Sequence, residues 1–181
     1  MDNTTRTEYR RIFLFDSLPE PLTPASEHIQ LFDNYIHETR LRLRSIRYPQ
    51  TKTWRRSLEK LQFTDGSGIS ICEVSAIELS EYEHAVFEPF EGTEIRKNRY
   101  ESRHEGRAVA LDIYLGKLWG LNRGRIDFAS EMEMRAFRLP DYAAIDVSDD
   151  QFFYDGNLVN LTFADVQARV AEMLQAKEKA G

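Results

Sequence analysis

Cysteine is almost absent from this sequence. Cys72 stands alone among 181 residues, so no internal disulfide can form. No histidine lies near it in sequence, so a buried apolar role suits it better than a catalytic one. Long apolar runs are missing as well. None approaches the ~18 residues of a membrane-spanning helix. Met1–Arg6 lacks the apolar run of a signal peptide, and a cytoplasmic location is the expectation. There is no basic excess either. Lys and Arg total 24 against 30 Asp and Glu, a formal net charge of -6. General attraction to duplex nucleic acid is therefore not expected, and any polyanion site must be a local cluster. His28, His37, His84 and His104 are scattered without metal-ligand spacing.

What is present reads mostly as strands. The length suits a single domain with a core that needs no disulfide or metal. Alternation marks strands at 8–15, 28–36, 38–47, 52–63, 69–79, 94–102, 108–115 and 123–128. Three prolines make 19–24 a loop, and Asp65-Gly66-Ser67-Gly68 is a hairpin signal. Ser80 with Glu83 forms a capping box for a helix ending near Pro89. A short helix is predicted around Glu131–Phe137. Thr162 caps a final helix at about 162–176, with Val166, Val170, Met173 and Leu174 as its apolar stripe. Strands in series with few helices predict an α+β chain: an antiparallel barrel of about eight strands with flanking helices.

The chemistry centres on Arg40-Leu41-Arg42-Leu43-Arg44. Period two puts the three guanidinium groups on one face and the leucines on the other. Like charges along a strand repel unless something negative or solvent lies between them. The bland reading is a solvated outer face. Other strands share the habit, however: Arg56 and Lys60 follow in the next strand, and Lys97 and Arg99 in a later one. Arginine's five fixed donors match phosphate or carboxylate oxygens. Arg40, Arg42, Arg44, Arg56, Lys60, Lys97 and Arg99 are the candidate anion contacts.

The order of motifs resembles the CYTH family, the triphosphate tunnel proteins that include class IV adenylyl cyclases and thiamine triphosphatases. Glu8-Tyr9-Arg10-Arg11-Ile12-Phe13-Leu14 is similar to the family's Glu-x-Glu-x-Lys opening, and Arg42-Leu43-Arg44 to its Arg-x-Arg strand. Leu58-Glu59-Lys60 sits where the family has its next lysine. Ile95-Arg96-Lys97-Asn98-Arg99-Tyr100 is the best agreement. Leu111–Gly116 with Gly120-Leu121, and Asp146–Asp150, follow in order. The resemblance runs from about Glu8 to Leu158 and implies a barrel tunnel that binds triphosphate through basic side chains and divalent metal through glutamates. On that basis the partner is a triphosphate-containing small molecule or inorganic polyphosphate, and Mg²⁺ or Mn²⁺ is the implied cofactor.

The departures fall on the acidic half. Of the opening set only Glu8 remains, with Arg10 and Ile12 at the other two positions. The late Glu-x-Glu-x-Glu strand becomes Arg125-Ile126-Asp127-Phe128-Ala129, and Ala110 and Phe152 replace a glutamate and an arginine. Glu8, Asp112 and Asp127 are the remaining metal candidates. Arg10 and Arg125 would oppose a metal there: at about 4 Å and an effective dielectric near 20, one unit-charge pair is worth about 4 kcal/mol. They are expected instead to close the site by pairing with Glu8 and Asp127. Three readings stay open: an anion-binding barrel with weak or absent metal-dependent catalysis, an active triphosphatase or adenylyl cyclase, and a structural domain whose arginines are neutralised internally.

Overall fold

In a computed structural model, which describes residues 3–90 and 92–180, the chain forms a closed antiparallel eight-strand barrel with one extra strand and flanking helices. The strands are β1 (Asn3–Leu14), β2 (Ile29–Ile36), β3 (Leu41–Tyr48), β4 (Thr53–Phe63), β5 (Ile71–Leu79), β6 (Gly92–His104), β7 (Arg107–Tyr114), β8 (Asn122–Phe128) and the short β9 (Ile145–Asp146). The order β5-β4-β3-β2-β6-β7-β8-β1 is closed by a β5–β1 pairing.

Closure depends on β1. Its first half pairs with β5, from Asn3↔Ile77 to Tyr9↔Ile71, and its second half with β8, from Tyr9↔Phe128 to Leu14↔Arg123. β9 then covers the end of β1 through Phe13↔Asp146. A closed sheet has no free edge to template aggregation.

The helices are α1 (Glu81–Phe87), α2 (Glu131–Ala136), the one-turn α3 (Asp155–Leu158) and α4 (Phe163–Ala180). The Ser80–Glu83 capping box forms in both directions. Thr162 differs from expectation: its N–H and hydroxyl both donate to the Asp165 carboxylate at 2.7 Å. On α4, Val166 is buried with Val170 and Met173 packed near it, whereas Leu174 is 46% exposed and leaves the stripe. None of the described helices is long and apolar enough to cross a membrane.

The apolar core is divided between the outside of the barrel and one end of its interior. Phe13, Tyr100, Val109, Leu111, Ile126, Phe128 and Met134 form one cluster, with Leu18, Leu22, Phe137 and Tyr142 packed against it. The fit is tight: a Cβ on Gly124 would come within 2.1 Å of the Phe13 ring. A second cluster joins Ile12, Tyr35, Leu61 and Val74 to Phe153, Leu158 and Val159. The first cluster takes outer strand positions, whereas Ile12, Tyr35 and Leu61 of the second face inward, beside the polar side chains of the lumen.

Candidate functional site: a charged barrel lumen

The strand register selects the lumenal residues. Residues directly opposite in an antiparallel ladder share a face. Tyr35 and Asp33 lie opposite Arg42 and Arg44, which lie opposite Glu59 and Ser57. Arg99 lies opposite Asp112, which lies opposite Arg123. Arg125 lies opposite Ile12, and Asp127 opposite Arg10. One continuous inner face therefore carries Arg10, Arg42, Arg44, Lys97, Arg99, Arg123 and Arg125, facing Glu8, Asp33, Glu59, Asp112 and Asp127.

These groups are bonded to one another. Arg44 holds Asp33 through two bonds, Nε–Oδ1 at 2.6 Å and Nη2–Oδ2 at 2.7 Å. Arg42 pairs with Glu59 and donates to the Tyr35 hydroxyl at 3.2 Å. Arg99 grips Asp112 at 2.6 and 2.8 Å. Arg10 donates to the Ile69 carbonyl at 2.9 Å and approaches Glu8 at 3.4 Å.

One end of the barrel is filled by the segment 151–159. Asp155, on α3, accepts from Lys97 Nζ at 2.5 Å and from the Tyr114 hydroxyl at 2.5 Å, and meets Arg123 Nη1 at 2.8 Å. Arg123 also donates to the Phe153 carbonyl at 2.6 Å. Tyr154 packs edge-on against Tyr35 and Phe63.

The pairing decides the protonation states. Burial alone would raise the Asp33, Glu59, Asp112 and Asp155 carboxyls, but the surrounding cations overturn this and hold all four below their usual values, Glu59 at about 2. Burial lowers Lys97 below the usual lysine value, against the pull of Asp155 and Asp112. Burial and the charge of Arg125 draw Arg10 down to about 10, so it stays protonated near neutrality.

Two cavities meet this network. The inner one, about 30 Å³, touches Arg10, Arg42, Arg44, Lys97, Arg123 and Asp155 and is of the order of a single water. The outer one, about 630 Å³, is lined by Leu22, Ile29, Ala108 and Ala110 and by Glu27, Glu101 and Asp127. Arg99 and Arg125 border both, each with about a fifth of its side chain exposed.

Arg42, Arg44, Lys97 and Arg99 are thus brought together, and Glu8, Asp112, Asp127, Arg10 and Arg125 join them on the same inner face. Arg40, Arg56 and Lys60 stand apart. Arg56 and Lys60 alternate with Ser57 and Glu59, so the pleat turns them outward: Arg56 lies over the Trp54 ring, and Lys60 is exposed. Arg40 precedes β3 and bonds Gln62 at 3.0 Å. Sequence reasoning missed Arg123, Asp33, Glu59 and Asp155. Arg123 was legible as the same-parity neighbour of Arg125, whereas the inward placement of Asp33 and Glu59 follows only from the pairing of β2, β3 and β4. Asp155 carried no local signal, because a short helix delivers it from outside the barrel.

No family model and no curated protein matches the chain. Solved structures do. The inorganic triphosphatase NE1496 superposes with a TM-score of 0.56 at 21% identity, covering 84% of this chain and 93% of that one. A second structure of NE1496, described as a hypothetical protein, gives 0.56 at 20% identity over 86% and 99%. The chain has the CYTH-like tunnel fold. A putative adenylyl cyclase, HpAC1 from Hippeastrum, described as having a dominant triphosphatase activity, aligns at a TM-score of 0.43 and 12% identity over 71% of this chain and 82% of that one, and adds no argument.

The motif resemblance implies a divalent metal, and the residues present do not fit one. A hard cation needs free carboxylate oxygens at about 2.0–2.6 Å. Glu8 is engaged on both oxygens, with Arg6 at 2.6 Å on Oε1 and Arg125 at 2.9 Å on Oε2. Asp127 meets Arg125 at 2.6 Å, and Asp112 is gripped by Arg99 with Lys97 at 3.2 Å. Among the described residues no group of three or more His, Cys, Asp or Glu side chains is arranged to hold a metal.

Proposed function

We propose that the protein binds a compact polyanion of the triphosphate class in its tunnel, with metal-dependent hydrolysis weak or absent. The observation that carries this reading is the convergence of Arg10, Arg42, Arg44, Lys97, Arg99, Arg123 and Arg125 on one lumen inside a chain of net charge -6. The fold shared with an inorganic triphosphatase supports it.

The anion would enter at the 630 Å³ cavity, where Arg99 and Arg125 are the partly exposed cations. A guanidinium has five N–H donors, so one held by a carboxylate retains others for an incoming phosphate. Deeper entry requires carboxylates such as Asp112 to give up bonds of 2.6 and 2.8 Å. That exchange makes the binding weak.

Isothermal titration with tripolyphosphate, with and without Mg²⁺, tests the reading. The wild type is expected to bind, and an Arg99→Ala/Arg125→Ala variant to bind at least about tenfold more weakly. No binding to the wild type, or equal binding to both, sinks it. A phosphate-release assay across triphosphates with Mg²⁺ and Mn²⁺ is expected to give little or no turnover; efficient turnover replaces the binding reading with a triphosphatase.

A second reading has its own support. Each of these lumenal cations is already bonded to a carboxylate or a carbonyl, as a purely structural barrel requires. Failure of the titration favours that reading.

A further inference from the structure

We infer that Arg125 is a resident cation: its guanidinium takes the position between Glu8 and Asp127 that a divalent ion would need, and so excludes metal from the tunnel. A single nitrogen, Nη2, lies 2.9 Å from Glu8 Oε2 and 2.6 Å from Asp127 Oδ1. Two carboxylates from strands β1 and β8 thus converge on one point of positive charge. Nε adds a second bond to Asp127 at 2.8 Å.

The guanidinium is held in place by its surroundings. β8 pairs with β1 at Ile12↔Arg125 and with β7 at Ala110↔Arg125, so the backbone beneath it is fixed on both sides. Neighbouring charge reinforces the exclusion. Arg10 approaches Glu8 Oε2 at 3.4 Å, and Arg6 holds Oε1 at 2.6 Å. A divalent ion would have to displace a guanidinium and then sit beside two others.

A consequence for the ligand rests on the proposed function: an anion recognised by such a site arrives without chelated metal. Magnesium would then compete for the anion rather than recruit it. The exclusion itself does not depend on what the tunnel binds, so it is tested with Mn²⁺ alone.

The loss of the free-Mn²⁺ paramagnetic resonance signal is followed as protein is added. Arg125→Gln is expected to bind Mn²⁺ about tenfold or more tightly than the wild type. Arg125→Lys, which keeps the charge, should stay at the wild-type level, and Glu8→Gln in the Arg125→Gln background should remove the gain. Equal Mn²⁺ binding by wild type and a folded Arg125→Gln overturns the inference. A second measurement does not depend on Arg125→Gln folding: a ligand of the native state raises Tm, and Mn²⁺ is expected not to raise that of the wild type. A Tm rise that Glu8→Gln abolishes would overturn the inference as well. Failure of tripolyphosphate to bind would sink the proposed function and leave the Mn²⁺ result standing.

Discussion

Asp33 and Arg44 face each other across β2 and β3, joined by two parallel bonds of 2.6 and 2.7 Å with the carboxylate fully buried. Arg42 and Lys97 stand about 4 Å from the same carboxylate. The aspartate is thus the negative centre of a cationic wall, and the wall is compatible with folding because of it.

Removing that centre should therefore be costly. Asp33→Ala is expected to lower stability by about 3–5 kcal/mol, since it strands buried positive charge. The Asp33→Ala/Arg44→Leu pair should lose less than the sum of the single variants, because they share one interaction. Urea unfolding of the three variants and the wild type measures both effects.

Acid should loosen the barrel in a definable range. The Glu59 carboxyl is held at about 2 in the folded state, against 4.5 for the free group, by Arg42 and Arg44 acting against burial. A depressed carboxyl contributes stability that is complete above the unfolded value and is lost as pH falls through the folded one. Stability is therefore expected to decline from about pH 4.5 toward pH 2, with Asp33, Asp112 and Asp155 shifted in the same direction. Denaturation midpoints collected from pH 6 down to about pH 2 check this. Glu59→Gln should flatten the slope, and an unchanged slope would exclude Glu59 as a contributor.

Asp155 is an internal anion that competes with any external one. Asp155→Asn should destabilise the fold by about 3 kcal/mol or more, because Lys97 and Arg123 lose their shared carboxylate. The same change removes one negative charge from the lumen, so tripolyphosphate affinity should rise, by about tenfold. Calorimetry and urea unfolding on one preparation separate the two effects. Loss of stability with no gain in affinity would mark Asp155 as structural alone.

Much of this was legible from local pattern. The strands, the Ser80–Glu83 capping box and the shared face of Arg42 and Arg44 follow from backbone periodicity and nearby hydrogen bonds, which a sequence encodes residue by residue. The polarity of Arg10 and Arg125 beside Glu8 and Asp127 pointed to mutual pairing, and the register brings them together.

Side assignment was another matter. Arg56 and Lys60 have the same two-residue period as Arg42 and Arg44, yet they point outward. Which face of β4 looks into the lumen depends on its pairing with β3 and β5, and a one-residue change in that pairing reverses every side chain. Local sequence determined the alternation of charge and the closure-prone strands. The tertiary structure alone decided which charges face inward, that Asp155 from a distant one-turn helix neutralises Lys97 and Arg123, and that Arg125 lies between two carboxylates, because those contacts join strands and helices far apart along the chain and exist only once the barrel has closed.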